Sequence, residues 1–439
     1  MSDAVNSNAV AAAPAATSSP PTRAYSGYVL ALLTLVFIVS NIDRQILAIL
    51  IEPIKAEFGV SDTAMGLLTG LAFMVFYTLA GIPIARLADR ASRKSIIAVA
   101  LAIWSLATAA SGFARSFGQL ALARVFVGFG EAGCTPPAHS LISDYFPPQR
   151  RATALSIHAG GAYIGAALAF LAGGWLVAHY DWRVAFYLVG FPGVALALVV
   201  WVTVREPPRG LSEQRSAAGT SVPFREVLRF LLTQPAYIAM TIGAALQSLA
   251  GYGVMTWGPS FLSRVHGMGW TDIGLGLGWT IGLAGCLGAF TGGRLADRLG
   301  ARDARWYMRL PALQAVCGLP FLVGFMLLPT TAAALICFVP YYLLSAMYLG
   351  PLFATVQGLV GLRMRATAAA ILMFIMNLVG LGLGPLAIGV LNDFLFGPIF
   401  GQDAIRYSML AVGVCGAFAG IFFWRASRRL GTDLAQRRA

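Results

Sequence analysis

The sequence predicts an all-α membrane protein in which twelve transmembrane helices form two pseudo-symmetric six-helix bundles. Three observations carry this expectation. Of 439 residues, 58% are apolar and 11% charged, against about 45–50% and about 25% in soluble domains, which excludes a water-soluble enzyme of this length. Apolar runs of about 20 residues, the length that crosses a bilayer, recur along the whole chain. Two short motifs return in the same order after 208 and 214 positions.

In chain order, residues 1–25 are rich in Ala, Ser, Pro and Asn, lack the basic start of a secretory leader and read as a disordered cytoplasmic tail. Residues 26–204 form the first bundle, with spans near 28–51, 63–86, 95–113, 118–142, 152–178 and 184–204. A polar linker, residues 205–234, follows; its amphipathic stretch Phe224 to Leu232 is expected to rest on the membrane surface. Residues 235–425 form the second bundle, with spans near 235–262, 271–293, 310–329, 331–358, 366–391 and 404–424, and residues 426–439 form a second tail.

Alternating the loops between two sides puts 24 of the 31 Lys and Arg residues on the side of the termini. Basic residues stay cytoplasmic, so both termini are expected in the cytoplasm of a multi-pass protein of the bacterial inner membrane. The net charge of +13 is then explained by anionic lipid headgroups, with no nucleic-acid partner. Five scattered cysteines without paired spacing give neither a disulfide framework nor a metal site, and no cofactor is expected.

The pentapeptide Arg86-Leu87-Ala88-Asp89-Arg90 recurs as Arg294-Leu295-Ala296-Asp297-Arg298, and Arg151-Ala152-Thr153-Ala154 recurs as Arg365-Ala366-Thr367-Ala368. Matched order and spacing indicate an internal duplication. Each Leu-Ala-Asp-Arg ends an even-numbered span, and each Arg-Ala-Thr-Ala opens a span on the same face, where a helix start carries about half a positive charge. Asp89 is therefore expected to face the start of span 11 at Arg365, and Asp297 the start of span 5 at Arg151. With Arg90, Arg93 and Arg298 beside them, these residues form a candidate inner gate.

Four ionisable residues lie inside spans: Asp43 and Arg44 in span 1, Arg124 and Glu131 in span 4. Each costs about 2.5–3.5 kcal/mol at a helix centre, and together they sum to zero charge, so mutual compensation is expected. At about 1.5 Å per residue, Asp43 falls between Arg124 and Glu131 in depth. Arg124, Gly128 and Glu131 share one helix face, with Gly128 allowing close approach of a neighbour. A carboxylate in a half-dry cavity holds or releases its proton according to the distance of the nearest arginine. Asp43 and Glu131 are accordingly the candidate proton-coupling residues, and Arg44 and Arg124 the candidate ligands of an anionic substrate. Permanent, purely structural salt bridges, Arg124 with Glu131 and Asp43 with Arg44, are the competing reading.

The second half contributes aromatics, Tyr252, Trp257, Tyr341, Tyr342 and Tyr348, and uncharged polar groups, Gln247, Gln357 and Asn377. Tyr252, Gln247 and Asn377 are taken as substrate-binding. A cavity charged on one wall and aromatic on the other suits an amphiphile with an anionic head. His158, in the inner third of span 5, is either a packing residue or a proton relay. His139, Ser140, Ser143 and Asp144 look superficially like hydrolase parts at the inner end of span 4.

Twelve spans in two halves, with Leu-Ala-Asp-Arg after spans 2 and 8, resemble the major facilitator superfamily. The family pattern Gly-x-Leu-Ala-Asp-Arg-x-Gly-Arg-Lys is split between the copies: Arg93-Lys94 in the first, Gly293 and Gly300 in the second. Within it, Asn41-Ile42-Asp43-Arg44-Gln45, Ile54-Lys55-Ala56-Glu57-Phe58, and the stretch from Arg124 through Glu131-Ala132-Gly133-Cys134-Thr135-Pro136 to Ser143-Asp144-Tyr145-Phe146-Pro147 resemble the Spinster-like branch. The resemblance implies a monomeric secondary transporter working by alternating access, coupled to protons and carrying a lysophospholipid or sphingosine-phosphate-like lipid. Two alternatives stand beside it: an organic anion:proton symporter for small carboxylates, and a membrane-embedded lipid hydrolase.

Overall fold

The computed structural model describes residues 22–88, 90–208, 222–361 and 364–436. The described residues are helical, without strands. Ten helical stretches are long and apolar enough to cross a membrane; Thr367–Leu430 holds two spans in one, and span 4 is split into two shorter helices, which gives twelve crossings. The side of Arg23 and of the end of the last helix is called basal, the opposite side distal.

The first half comprises span 1 (Arg23–Phe58), span 2 (Asp62–Gly66, Leu67–Ala72, Phe73–Ala88), span 3 (Arg93–Ser111), span 4 (Phe117–Glu131, Thr135–Tyr145), span 5 (Pro148–His179) and span 6 (Trp182–Thr203). The linker helix Phe224–Leu232 leads to span 7 (Pro235–His266), span 8 (Trp270–Trp279, Thr280–Ala284, Gly285–Gly300) and span 9 (Trp306–Leu327). Span 10 (Thr331–Ser345, Leu349–Leu359), span 11 (Arg365–Asn377 and its continuation to Phe400) and span 12 (Ala404–Gln436) complete it. Ser, Thr and Asp side chains at Thr22, Ser61, Ser92, Ser116 and Asp181 accept from the first free N–H groups of their helices. Gly59 and Gly267, both at φ 62°, end spans 1 and 7 in the left-handed conformation that glycine adopts without strain.

The duplication is visible in the irregularities as well as in the motifs. Span 4 breaks at residues 132–134 and span 10 at 346–348, three to five residues before Pro137 and Pro351. A proline lacks the N–H that would bond four residues back, so the helix opens there in both copies. Spans 2 and 8 each carry a π-helical turn, Leu67–Ala72 and Thr280–Ala284, the second displaced by about one helical turn along its span.

Two ends differ from expectation. Helix starts at Arg23, inside the expected tail, and span 12 runs to Gln436, because its residues beyond 425 still bury Ala426 and Leu430. The rest of both tails (1–21 and 437–439) and linker residues 209–221 lie outside the described residues. The linker helix does not simply lie on a membrane: Val227 and Leu231 are buried in the basal core of the second half with Tyr237.

The cores reveal the state of the two halves. Distally, one apolar cluster runs through both, from Ile46–Ile51 and Phe170 to Trp257, Phe261 and Ile273. Basally the clusters keep to one half each: Val29, Leu101, Trp104 and Ile142 in the first half, touched from the second by Leu381, Leu378 and Tyr252, and Val227, Met308, Leu352 and Phe423, with a smaller cluster of Ala296, Leu310 and Met347, in the second. The seam is tight because glycines face backbone. A Cβ on Gly66 would lie 2.5 Å from the Pro385 carbonyl oxygen, one on Gly70 2.5 Å from that of Gly382, and one on Gly174 2.4 Å from that of Trp270. The halves are therefore fused on the distal side and separate on the basal side.

Candidate functional site

Midway along span 1, Ser40, Asp43 and Arg44 meet Arg124 and Glu131 of span 4. The spans approach because Gly128 lets span 4 lie against span 2: a Cβ there would sit 2.6 Å from the Phe73 carbonyl oxygen. The four charges pair across the spans rather than within them. Arg124 Nη1 donates to Asp43 Oδ1 at 3.0 Å and Nη2 to the Asp43 carbonyl oxygen at 3.3 Å. Arg44 Nε donates to Glu131 Oε2, which also accepts from Ser40 Oγ at 3.2 Å. Neighbours in sequence point about 100° apart on a helix, and residues seven apart lie about 10 Å along it, so same-span pairing is geometrically poor.

The two pairs differ in surroundings. Asp43 is 0% exposed and Arg124 2%, with the guanidinium 5.9 Å from the Phe186 ring of span 6, inside the first bundle. Glu131 is also buried, but the Arg44 side chain is 19% exposed and lies over the rings of Phe73 and Tyr77 at 5.4 and 5.1 Å. Tyr252 of span 7, half-buried against the first half, lies within electrostatic reach of Arg44 and Tyr77. Arg44 thus looks out between the halves, and Arg124 looks away from them. Among the described residues, Asp43 Oδ2, Glu131 Oε1 and Arg124 Nε have no hydrogen-bond partner, so the cluster retains unused capacity for protons and polar ligands.

The second-half residues divide. Tyr342 and Tyr163 both press on Gly285 of span 8, and Tyr342 is within electrostatic reach of Tyr252, which makes an aromatic wall opposite Arg44. Asn377 is half-buried where span 11 turns π-helical. Gln247 is not in this wall: it is 6% exposed and lines a small cavity inside the second bundle with Gln314, Tyr341 and Ser345. Its register on span 7 turns it toward span 12. Tyr348 bonds Ser248 at 3.1 Å, and the Trp257 indole donates to the Pro385 carbonyl at 2.9 Å, so both serve packing.

The expected basal gate is realised differently. Asp89 lies outside the described residues. Arg93 faces no gate: 2% exposed, it binds Asp144, Ser140 Oγ (2.9 Å), Glu206 Oε1 (2.7 Å) and the Pro207 carbonyl oxygen (2.9 Å), tying the start of the linker to spans 3 and 4. The same bonds occupy two members of the suspected hydrolase set. Asp297 accepts from Tyr307 Oη at 3.1 Å, within its own half, because the basal ends of the halves are parted. Arg90 and Arg298 are exposed, and Arg151 and Arg365 are half-buried at the starts of spans 5 and 11.

A distal clasp escaped the sequence reading. Arg264, at the end of span 7, donates to Glu52 of span 1 (2.9 and 2.6 Å) and to both oxygens of Asp62 at the start of span 2 (2.6 and 2.8 Å). Asn392 of span 11 donates to Asp62 at 3.1 Å, and Asp393 accepts from the Asp62 and Thr63 N–H groups at 3.2 and 2.7 Å, satisfying a helix start from the other half. Carboxylates at three span ends beside an arginine were the available signal. The arrangement can present a charged cluster to the basal side while shutting it from the distal side, and so supports alternating access.

The comparisons agree with this geometry. The model of the Major Facilitator Superfamily matches residues 33–385. An MFS-type efflux pump from Mycolicibacterium smegmatis is 34% identical over 420 residues, covering 95% of each chain. Protein spinster homolog 1 from Homo sapiens is 27% identical, covering 91% of this chain and 80% of its own. The crystal structure of a bacterial homologue of the human lysosomal transporter Spinster, inward-facing and unoccupied, superposes with a TM-score of 0.86 at 32% identity, covering 94% of this chain and 99% of that one. With fold, repeat and relatives in agreement, the chain is a transporter rather than an enzyme: it belongs to the major facilitator superfamily, in its Spinster-like branch.

Proposed function

We propose that the protein is a proton-coupled carrier of an amphiphilic anion, of the lysophospholipid or sphingosine-phosphate kind, across the bacterial inner membrane, acting as a monomer. The bias of basic residues toward the termini supports a cytoplasmic basal side. The observation that carries the reading is the Arg44–Glu131 pair. A partly exposed guanidinium is held by a buried carboxylate and faced by an aromatic wall. An anionic head that draws Arg44 away leaves Glu131 without its counter-cation, and a carboxylate so stranded in a dry site exchanges its charge for a proton. Tyr252, Tyr342 and Asn377 line the path of the apolar tail.

Asp43 and Arg124 receive a different role from the one their sequence suggests. Buried against each other behind the exposed pair, they hold span 1 to span 4 and fix the field in which Glu131 titrates. Of the two arginines, Arg44 alone is left to contact the anionic head. The testing experiment is equilibrium binding of lysophosphatidylglycerol and of a small dicarboxylate to purified protein. Lysolipid binding that Arg44→Ala weakens by about tenfold, the loss of one charge-assisted contact, is expected. Tight dicarboxylate binding without lysolipid binding would instead select the organic-anion symporter.

A further inference from the structure

Basal to the charged cluster lies a pair of imidazoles that the mechanism above does not use. His158 of span 5 is 1% exposed, and neither ring nitrogen has a hydrogen-bond partner among the described residues. One face stacks on Phe37 of span 1 (4.7 Å between centroids, 25° between planes), and the ring makes a T-shaped contact with His139 of span 4 at 5.3 Å and 80°. His139 lies in the basal piece of span 4 and is exposed.

The register places this pair directly under the coupling carboxylate. Phe37 and Ser40 share a face of span 1, one turn apart, about 4–5 Å along the axis. Ser40 donates to Glu131, and Phe37 stacks on His158. On span 4, Glu131 ends the distal piece and His139 follows beyond the break at 132–134. A hydroxyl, a buried imidazole and an exposed imidazole thus descend in order from Glu131 toward the basal opening. Among the described residues, span 1 offers His158 the ring of Phe37 and span 4 that of His139. His139 is the titratable group that acts on His158 electrostatically. A histidine kept only for packing satisfies its nitrogens; this one has both free for transfer.

We infer that His158 and His139 form a proton relay between Glu131 and the cytoplasm. Protonated Glu131 gives its proton, by way of a water molecule between the level of Ser40 and that of Phe37, to one nitrogen of neutral His158. The carboxyl O–H bond breaks, an imidazole N–H forms, and the carboxylate regains Arg44. The imidazolium releases the proton on its other nitrogen to His139, which yields it to water. Loading runs the same steps in reverse, so charge and protons balance in each direction.

The relay rests on the proton-coupled reading, and the test separates the two. The protein is reconstituted in liposomes containing a trapped pH dye, a lysophosphatidylglycerol gradient is imposed, and proton flux is read beside exchange of labelled for unlabelled lipid. The relay predicts that His158→Gln slows proton flux by at least about tenfold while exchange, which moves no net proton, persists. It also predicts that free imidazole restores flux to His158→Ala. Wild-type flux in His158→Gln, or failed rescue in a His158→Ala protein that still exchanges lipid, overturns the relay alone. Absence of proton flux in the wild type overturns the coupled reading and the relay together. If His158 variants lose exchange as well, the exposed His139→Gln decides: slowed flux with intact exchange supports the relay, and unchanged flux overturns it.

Discussion

Two ion pairs of the same chemistry sit side by side on spans 1 and 4, and they are built for different work. Arg124–Asp43 is closed on all sides by the first bundle, with carboxylate and carbonyl both engaged by one guanidinium. Arg44–Glu131 shares the same helices, yet its arginine stands 19% exposed over Phe73 and Tyr77 and looks toward span 7. The difference comes from one residue of register. Asp43 and Arg44 are adjacent, so span 1 sends one inward and the other to the seam. A charge that no substrate can reach holds helices together, and a charge at the seam is available for exchange.

The largest effect that would separate the pairs is on coupling. Glu131→Gln keeps the shape of the side chain but binds no proton, so substrate-driven proton flux should fall by about 10²-fold or more in liposomes, with lipid exchange retained. Retained flux would remove Glu131 from the proton path. Next comes stability. Asp43→Asn leaves a buried guanidinium without a counter-charge and should destabilise the protein by about 3–5 kcal/mol, read from thermal or denaturant unfolding in detergent, whereas the double variant Asp43→Asn/Arg124→Gln should recover most of that loss. A smaller effect is expected at the distal clasp. Arg264→Ala removes the bonds to Glu52 and Asp62 and should shift the conformational balance toward distal opening by about tenfold, measured by labelling of cysteines placed along the seam. An unchanged labelling rate would show that the glycine seam closes the distal side without the clasp.

Much of this was legible from the chain. Twelve apolar runs and two repeated motifs define the two bundles, and the breaks in spans 4 and 10 follow from Pro137 and Pro351. The site itself announced itself by cost, since Asp43, Arg44, Arg124 and Glu131 are expensive to bury and had to meet. What the sequence hides is facing. Gln247 and Tyr252 are both polar residues of span 7, yet one turns into the second bundle and the other toward Arg44; no charge marks the difference. Arg93 carries a gate motif but closes on Glu206, because a linker residue more than a hundred positions away reaches it first. The clasp at Arg264 joins residues whose proximity exists only when the halves are packed distally.

The central claim is that the seam-facing pair transports and the enclosed pair holds. Proton-driven accumulation of fluorescent lysophosphatidylglycerol in liposomes tests it directly, comparing Arg44→Gln/Glu131→Gln with Asp43→Asn/Arg124→Gln. The account predicts no accumulation by the first double variant and substantial accumulation by the second. Accumulation by the first, or its loss in a stably folded second, would contradict it.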